Sequence, residues 1–452
     1  MGDLFGTNGV RGVANVELTV EMVTRLAGSA GALLGKDIAL GTDGRTTSPM
    51  FKEAAVSGLL SVGCTVHDVG MLPTPALQFS VRRLGLDGGL MVTASHNPPE
   101  FNGVKVMAND GVEISREREN EIEALFFEGG PELSPWDSVG CVRRRETLER
   151  YNRAIIEHVD SGLVEGGGLK VALDPGNGVA ALAAPEIARR LGCEVFTVNA
   201  NVDGRFPGRD SEPRPDNLGD LAALVEATGA DVGVAFDGDG DRALFVDEGG
   251  KVHWGDRSFA LVARDFMDKN PGAEVATPVS SSRVIEDVVE AGGGRIVWTK
   301  VGSVDVSRNM VDGGIGLGGE ENGGIMYGPH LEVRDGSMSL ALVLEIMART
   351  GEPLSRLFAG LPVYEQMKDK VSCPNELKGK ALEALRGAVE APRVETMDGV
   401  KLWYGDGSWI LIRPSGTEPV FRLYAESETQ ERVREILDEN RVLVESLIEG
   451  LN

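Results

Sequence analysis

The chain has 452 residues, 42% of them hydrophobic, 25% charged and 5% aromatic, the balance of a water-soluble α/β enzyme rather than a disordered or membrane chain. Its formal charge of -25 would repel a polyphosphate backbone, which argues against nucleic acid as a partner and demands a local cationic pocket for any anionic ligand. Cys64, Cys141, Cys193 and Cys373 are scattered without zinc or disulfide spacing, no apolar run approaches the roughly 18 residues of a membrane span, and the N-terminus lacks a signal-like apolar stretch, so a cytoplasmic protein with no membrane partner is expected.

At about 150 residues per domain the length predicts three to four domains. In chain order, Thr19 to Leu34 has helical period, and Ile38 to Gly41, Thr65 to Val69 and Gly89 to Thr93 are short apolar strands, giving βαβ patterning over residues 1–150. A second unit, expected over 151–250, opens at LKVALDPGNG, continues through the helical APEIARRLG and ends in ADVGVAFDGDGDR. A third, over 251–365, carries AEVATPVSS, GRIVWTKVG and GIGLGGEENGG as strand-to-loop transitions. Pro353 to Pro374 reads as a linker into a smaller C-terminal module, 366–452, where strands surround RPSGTEP and a helix starts near Glu428. Ligands gather beyond the carboxyl ends of strands in open α/β sheets, so these loops are the places to search.

Four loops carry the chemistry. In GLMVTASHNPPEFNGVKV an apolar strand runs into Ser95, His96 and Asn97 before two prolines, a turn expected to expose the Ser95 hydroxyl. An ordinary Ser/Asn turn is the bland alternative, and the absence of a GxSxG elbow argues against a hydrolase triad. In DGDGDR, Asp237, Asp239 and Asp241 alternate with glycines so that their oxygens can converge on one hard cation. An EF-hand is disfavoured because Arg242 stands where glycine is required and the flanks read as strand. RPSGTEP offers the Arg413 donor fork with Ser415, Gly416 and Thr417 for a phosphate. GEENGG pairs carboxylate and amide side chains suited to sugar hydroxyls. A plain surface turn would account for either of these two loops taken alone.

Together, TASHNP, DGDGDR, GEENGG and RPSGTEP, with FGTNGVRG at the N-terminus, resemble the α-D-phosphohexomutase superfamily over the whole chain. The resemblance implies three tandem related α/β domains with mixed sheets plus a smaller α+β C-terminal domain around a central cleft. It further implies a phosphorylated Ser95 that, with Asp237, Asp239 and Asp241, binds one magnesium ion per subunit. Glu320 and Asn322 would contact sugar hydroxyls, Arg242 would also bind substrate, Arg413, Ser415, Gly416 and Thr417 would hold the non-reacting phosphate, and Arg11 and Lys105 would lie beside the transferring group. Lys300 and Gly302, in TKVGS, match a loop sensing sugar orientation. Lys105 is the first choice for proton transfer, with His96 in support. The implied reaction interconverts hexose 6-phosphate and hexose 1-phosphate through a bisphosphate, with a hexose 1,6-bisphosphate as activator; a homo-oligomer is compatible with it. Asn322 and Gly324 replace the serine and histidine of many bacterial members, and the pattern leans to glucosamine phosphate over mannose or glucose phosphate. Two other classes compete: an aspartate-nucleophile phosphatase, for which Asp241 stands where Thr or Val is expected, and a non-enzymatic sugar-phosphate sensor, which could dispense with Ser95 and the aspartates.

Overall fold

A computed structural model describes residues 4–6, 8–416 and 418–451; Thr417, expected to touch phosphate, lies outside the described residues. Three α/β units follow one another, each built on a mixed sheet, and a C-terminal α+β unit completes the chain.

The three units repeat one four-strand pattern that residue-level comparison does not reveal. In the first, Asp37–Thr42 lies between Thr65–Met71 and Gly88–Val92, parallel to both, and Gly88–Val92 pairs antiparallel with Phe101–Ala108. In the second, Lys170–Asp174 lies between Glu194–Thr197 and Val232–Phe236, and the latter pairs antiparallel with Ala243–Asp247. In the third, Glu274–Pro278 lies between Arg295–Thr299 and Leu317–Gly319, and the latter pairs antiparallel with Ile325–Tyr327. The strands Gly88–Val92 and Val232–Phe236 are buried throughout, which is why each reads as a continuous apolar run rather than an alternation. Each antiparallel turn carries one of the motifs, so three of the four motif loops leave equivalent strand ends.

The helix Gly336–Thr350 sits at the centre. Its residues Gly336 to Met347 are all buried, as expected for a helix apolar on every side. Asp335 caps it by accepting from the Met338 backbone N–H at 3.0 Å and also accepts the Tyr151 hydroxyl at 2.7 Å. One apolar core joins residues of all three α/β units around this helix, including Met107, Tyr151, Phe236 and Phe259, whereas the C-terminal unit has a core of its own.

That last unit is an antiparallel five-stranded sheet, in the order Glu365–Ser372, Val420–Ser427, Trp409–Pro414, Val400–Trp403, Arg393–Glu395. The helices Lys378–Ala388 and Gln430–Glu449 pack against it. The expected linker at Pro353 to Pro374 is largely regular instead, with a helix Leu354–Ala359 and the whole strand Glu365–Ser372. Pro353 is the residue before that helix, where proline fits, and the strand is defined by a partner about fifty residues away in sequence, which local patterning does not disclose.

Candidate active site

Ser95 follows the strand Gly88–Val92 and adopts φ 50°, a left-handed conformation rare for residues with a Cβ. Its backbone N–H donates to Thr93 Oγ1 at 2.8 Å, and that hydroxyl donates to Asp43 Oδ2 at 2.7 Å. The Arg45 guanidinium donates to the Ser95 carbonyl at 2.8 Å, and Ser211 of the second unit donates to the carbonyls of His96 and Asn97 at 2.7 and 2.9 Å. The turn therefore does not expose the hydroxyl as its sequence suggested, for Ser95 is fully buried. Loops from another unit cover it, and its Oγ donates to Asp237 Oδ2 at 3.0 Å.

In DGDGDR, the two glycines are required for different reasons. Gly240 has φ 74°, and a Cβ on Gly238 would fall 2.6 Å from the Ser95 carbonyl oxygen. Asp237, Asp239 and Asp241 are all buried, and one oxygen from each lies within 4.8 Å of the others. Lys105 Nζ donates to Asp239 Oδ2 at 2.7 Å and to Asp241 Oδ2 at 3.1 Å, Thr74 Oγ1 to Asp239 Oδ2 at 2.6 Å, and Arg334 to Asp241 Oδ2 at 2.6 Å. Asp239 Oδ1 and Asp241 Oδ1 are buried and have no hydrogen-bond partner among the described residues. Orphaned carboxylate oxygens are costly unless a cation or water meets them, and three converging carboxylates form a hard-oxygen set that fits magnesium.

Burial raises the pKa of all three carboxyls, but the neighbours separate them. At Asp239 burial is outweighed by Lys105, Thr74 and Arg334 together, and at Asp241 by Arg334, Lys105 and Arg242 together, holding both below the usual carboxylate range. Asp237 is pushed well up by burial and by the two adjacent aspartates. His96 is driven well below the ordinary imidazole range by burial, then by Arg242 and Arg11, which makes it neutral at pH 7. Burial also lowers the Arg11 guanidinium, to about 10, leaving it charged at neutral pH.

Arg11 donates to the Ala94 carbonyl at 3.2 Å and to Asn97 Oδ1 at 2.8 Å. Arg242 makes a two-pronged contact with Glu212, at 2.6 and 2.9 Å. In the sugar loop, Glu320 accepts from Arg334 at 3.0 Å, Glu321 pairs with Lys368 at 2.6 Å, and Asn322 Oδ1 accepts the Gly324 N–H at 3.1 Å. Glu320 and Asp241 thus share one arginine.

A second cluster forms around the C-terminal loop. Asp398 Oδ2 accepts both Arg413 Nε and the Val301 N–H at 3.0 Å, tying RPSGTEP to the loop of Lys300 and Gly302. Ser415 is buried and its Oγ accepts the Glu418 N–H at 3.1 Å, Gly416 is exposed, and Lys378 braces the loop through the Ser415 carbonyl at 2.6 Å. Lys300 lines a cavity of about 220 Å³ with Phe5, Arg116, Glu119 and Asp305 among others. Asn8 connects the two clusters, since its carbonyl accepts from Arg11 and its amide donates to Ser303 at 3.0 Å. Sequence reading missed Arg45, Thr74, Glu212, Arg334, Lys368, Lys378 and Asp398. Of these, only Arg45 left a signal, as a charge that with Asp43 follows directly after a buried strand.

Models of the phosphoglucomutase/phosphomannomutase domains match in order: the α/β/α domains I, II and III at residues 2–132, 149–250 and 254–364, and the C-terminal domain at 370–442. A phosphoglucosamine/phosphogalactosamine mutase of Sulfurisphaera tokodaii is 43% identical over 98% of this chain and 100% of its own length. A phosphoglucomutase/phosphomannomutase of Thermococcus kodakarensis is 39% identical over 100% of both chains. The crystal structure of a phosphoglucomutase/phosphomannomutase family protein from Burkholderia thailandensis superposes with a TM-score of 0.88 at 29% identity, covering 98% of this chain and 97% of that one. With every unit matched and relatives aligned end to end, the chain belongs to the phosphoglucomutase/phosphomannomutase family and is a phosphohexomutase.

Proposed function

We propose that the enzyme converts glucosamine 6-phosphate to glucosamine 1-phosphate, with Ser95 as phosphoryl carrier, Asp237, Asp239 and Asp241 as the magnesium ligands, and domains at 1–150, 151–250, 251–365 and 366–452. The observation that carries the site assignment is the 3.0 Å contact of Ser95 Oγ with Asp237, beside a lysine bridging the other two aspartates. A phosphoserine brings about -1.5 to -2 charges, and three carboxylates beside it need a cation. Bound magnesium would supply that charge and polarise the transferring phosphoryl group. A hexose 1,6-bisphosphate loads Ser95 by phosphorylating it.

In turnover, the phosphoester bond at Ser95 Oγ breaks as the free hydroxyl of the hexose monophosphate takes the phosphoryl group. The hydroxyl's proton passes to a nearby base. The resulting bisphosphate reverses in the cleft and its other phosphoryl returns to Ser95. Lys105 and Arg11 offset charge on the peripheral oxygens. Lys105 is assigned proton transfer, as the ammonium that protonates the departing Ser95 Oγ, and a neutral His96 serves as the supporting acceptor of the hydroxyl's proton. Arg242, Glu320 and Asn322 face the sugar; Lys300 and Gly302 sense its orientation. Arg413, Ser415, Gly416 and Thr417 anchor the distal phosphate. A cytoplasmic setting is part of this reading, supported by four cysteines that remain unpaired.

The lean to glucosamine is supported by the mutase names of several relatives and by carboxylates in the sugar loop. Assays with glucosamine, glucose and mannose 6-phosphates, each with its 1,6-bisphosphate, test it. The highest kcat/KM is expected for glucosamine 6-phosphate, and a tenfold preference for mannose or glucose would replace that assignment by the second reading, a phosphomannomutase/phosphoglucomutase. Chelation is expected to remove activity and magnesium to restore it; undiminished turnover in excess chelator contradicts the metal role. The phosphoenzyme should be acid-stable and resist hydroxylamine, as an ester does and an aspartyl phosphate does not. Arg413→Ala is expected to raise KM about tenfold or more, since a charged hydrogen bond to phosphate contributes about 1.5–3 kcal/mol, with a smaller change in the rate of Ser95 labelling by bisphosphate.

A further inference from the structure

The repeated four-strand pattern places one buried bracket at the same position in each α/β unit. In the first unit, Asp43 directly follows the strand Asp37–Thr42 and accepts Arg45 Nε at 3.1 Å. The remaining four N–H groups of Arg45 go to backbone carbonyls of one segment: Pro98 at 2.6 Å, Phe101 at 3.0 Å, Ser95 at 2.8 Å and Asn97 at 2.5 Å. All five donors of the guanidinium are used. The side chain is almost fully buried, and Phe206 of the second unit covers it with its ring centroid 5.0 Å from Cζ.

In the second unit, Asp174 ends the equivalent strand and accepts Arg209 Nε at 2.7 Å. Arg209 donates onward to the Phe236 carbonyl at 2.6 Å, the last residue before Asp237. In the third unit the place is taken by hydroxyls. Thr277 donates to the Gly319 carbonyl at 2.9 Å, the last residue before Glu320, and lies 2.7 Å from Ser281 Oγ. The carbonyls before the acidic loop and the sugar loop are therefore held at equivalent strand ends, by an arginine in one case and by a neutral hydroxyl in the other.

We propose that Arg45 and Arg209 are positioning residues that hold, through backbone carbonyls, the phosphoserine loop and the magnesium loop respectively. The inference rests on the reading of Ser95 and the aspartates given above. Neither arginine donates to a side chain that carries the chemistry. Ser95 sits at φ 50°, a conformation that loosens once its surroundings no longer impose it. A lysine cannot substitute, because a single ammonium has three donors and no planar fork to span four carbonyls. The charged brackets serve the two loops that must approach each other with a phosphate and a divalent cation between them. The loop that reads neutral sugar hydroxyls needs only the neutral bracket.

The test compares wild type with Arg45→Lys, Arg209→Lys and Thr93→Val. The last removes the hydroxyl that links Asp43 to the Ser95 N–H and keeps the bracket testable should a buried arginine variant fail to fold. Five quantities are read: the thermal midpoint, kcat, KM, the rate of labelling by radioactive glucose 1,6-bisphosphate, and Mn²⁺ affinity by electron paramagnetic resonance. Arg45→Lys and Thr93→Val are expected to lose about ten- to a hundredfold in kcat and labelling rate, with KM and Mn²⁺ affinity within about threefold of wild type. Arg209→Lys is expected to weaken Mn²⁺ binding about tenfold or more. Folded variants with wild-type labelling and Mn²⁺ affinity overturn the inference, as does a uniform loss in the other four quantities that tracks the thermal midpoint. A wild-type protein that accepts no label would instead overturn the phosphoserine reading beneath it.

Discussion

Ser95→Ala is expected to reduce mutase activity below about a thousandth of wild type and to abolish phosphate incorporation. Alanine removes the side-chain oxygen that contacts the acidic triplet, the Oγ at 3.0 Å from Asp237. It changes little else. Both residues carry a Cβ, so the backbone strain at φ 50° is common to both, and the Arg45 bracket grips carbonyls that survive the substitution. One buried acceptor, Asp237 Oδ2, loses its donor, a cost of about 1–3 kcal/mol that its raised pKa reduces by allowing protonation. The thermal midpoint should therefore stay near wild type while labelling by bisphosphate vanishes. A variant that still turns over at wild-type rate sinks the carrier assignment.

Lys105→Met is expected to lower kcat by about 10²- to 10⁴-fold and, unlike Ser95→Ala, to destabilise the fold by about 3–5 kcal/mol. Lys105 is fully buried on the strand Phe101–Ala108, and its ammonium is shared by Asp239 and Asp241. Methionine fills much of the same space but leaves two buried carboxylates facing each other, with Arg334 and Arg242 still paired to Asp241. Burial alone would lower the lysine pKa, yet Asp239 and Asp241 raise it above its ordinary 10.5. A base with a raised folded pKa stabilises fully below its unfolded value, so this contribution is present at neutral pH and fades only as pH climbs past about 10.5. The deficit should shrink when magnesium is added, because a divalent cation on the aspartates replaces the missing charge. Calorimetry with and without magnesium decides the matter. Equal thermal midpoints for variant and wild type in chelator would show that the lysine does not neutralise the cluster.

Those residues were legible because their signals are local. A buried strand reads as an apolar run, a glycine-spaced aspartate triplet reads as a cation loop, and TASHNP followed by FNGVK places a hydroxyl and a lysine on either side of one antiparallel turn. The four-unit architecture was legible for the same reason, as helix period and strand runs alternate along the chain. The exposure of Ser95 was misjudged because its cover comes from Gly238 and Ser211, more than a hundred residues away. Glu320 read as a free sugar ligand, whereas Arg334 already holds it together with Asp241.

What the amino-acid sequence determined by itself, then, is the chemical inventory and its order: a nucleophilic hydroxyl, three carboxylates, a sugar loop and a phosphate fork, each at the end of a strand whose apolar run announces it. Only the tertiary structure decided which charges neutralise which. Arg45 on the phosphoserine loop, Arg334 between Asp241 and Glu320, and Asp398 joining Arg413 to Val301 have no periodic signature, since an ion pair between distant segments depends on a fold that brings them together. The physical reason is range: backbone conformation follows from neighbours within a few residues, whereas burying a charge is tolerated only where the assembled fold delivers its partner.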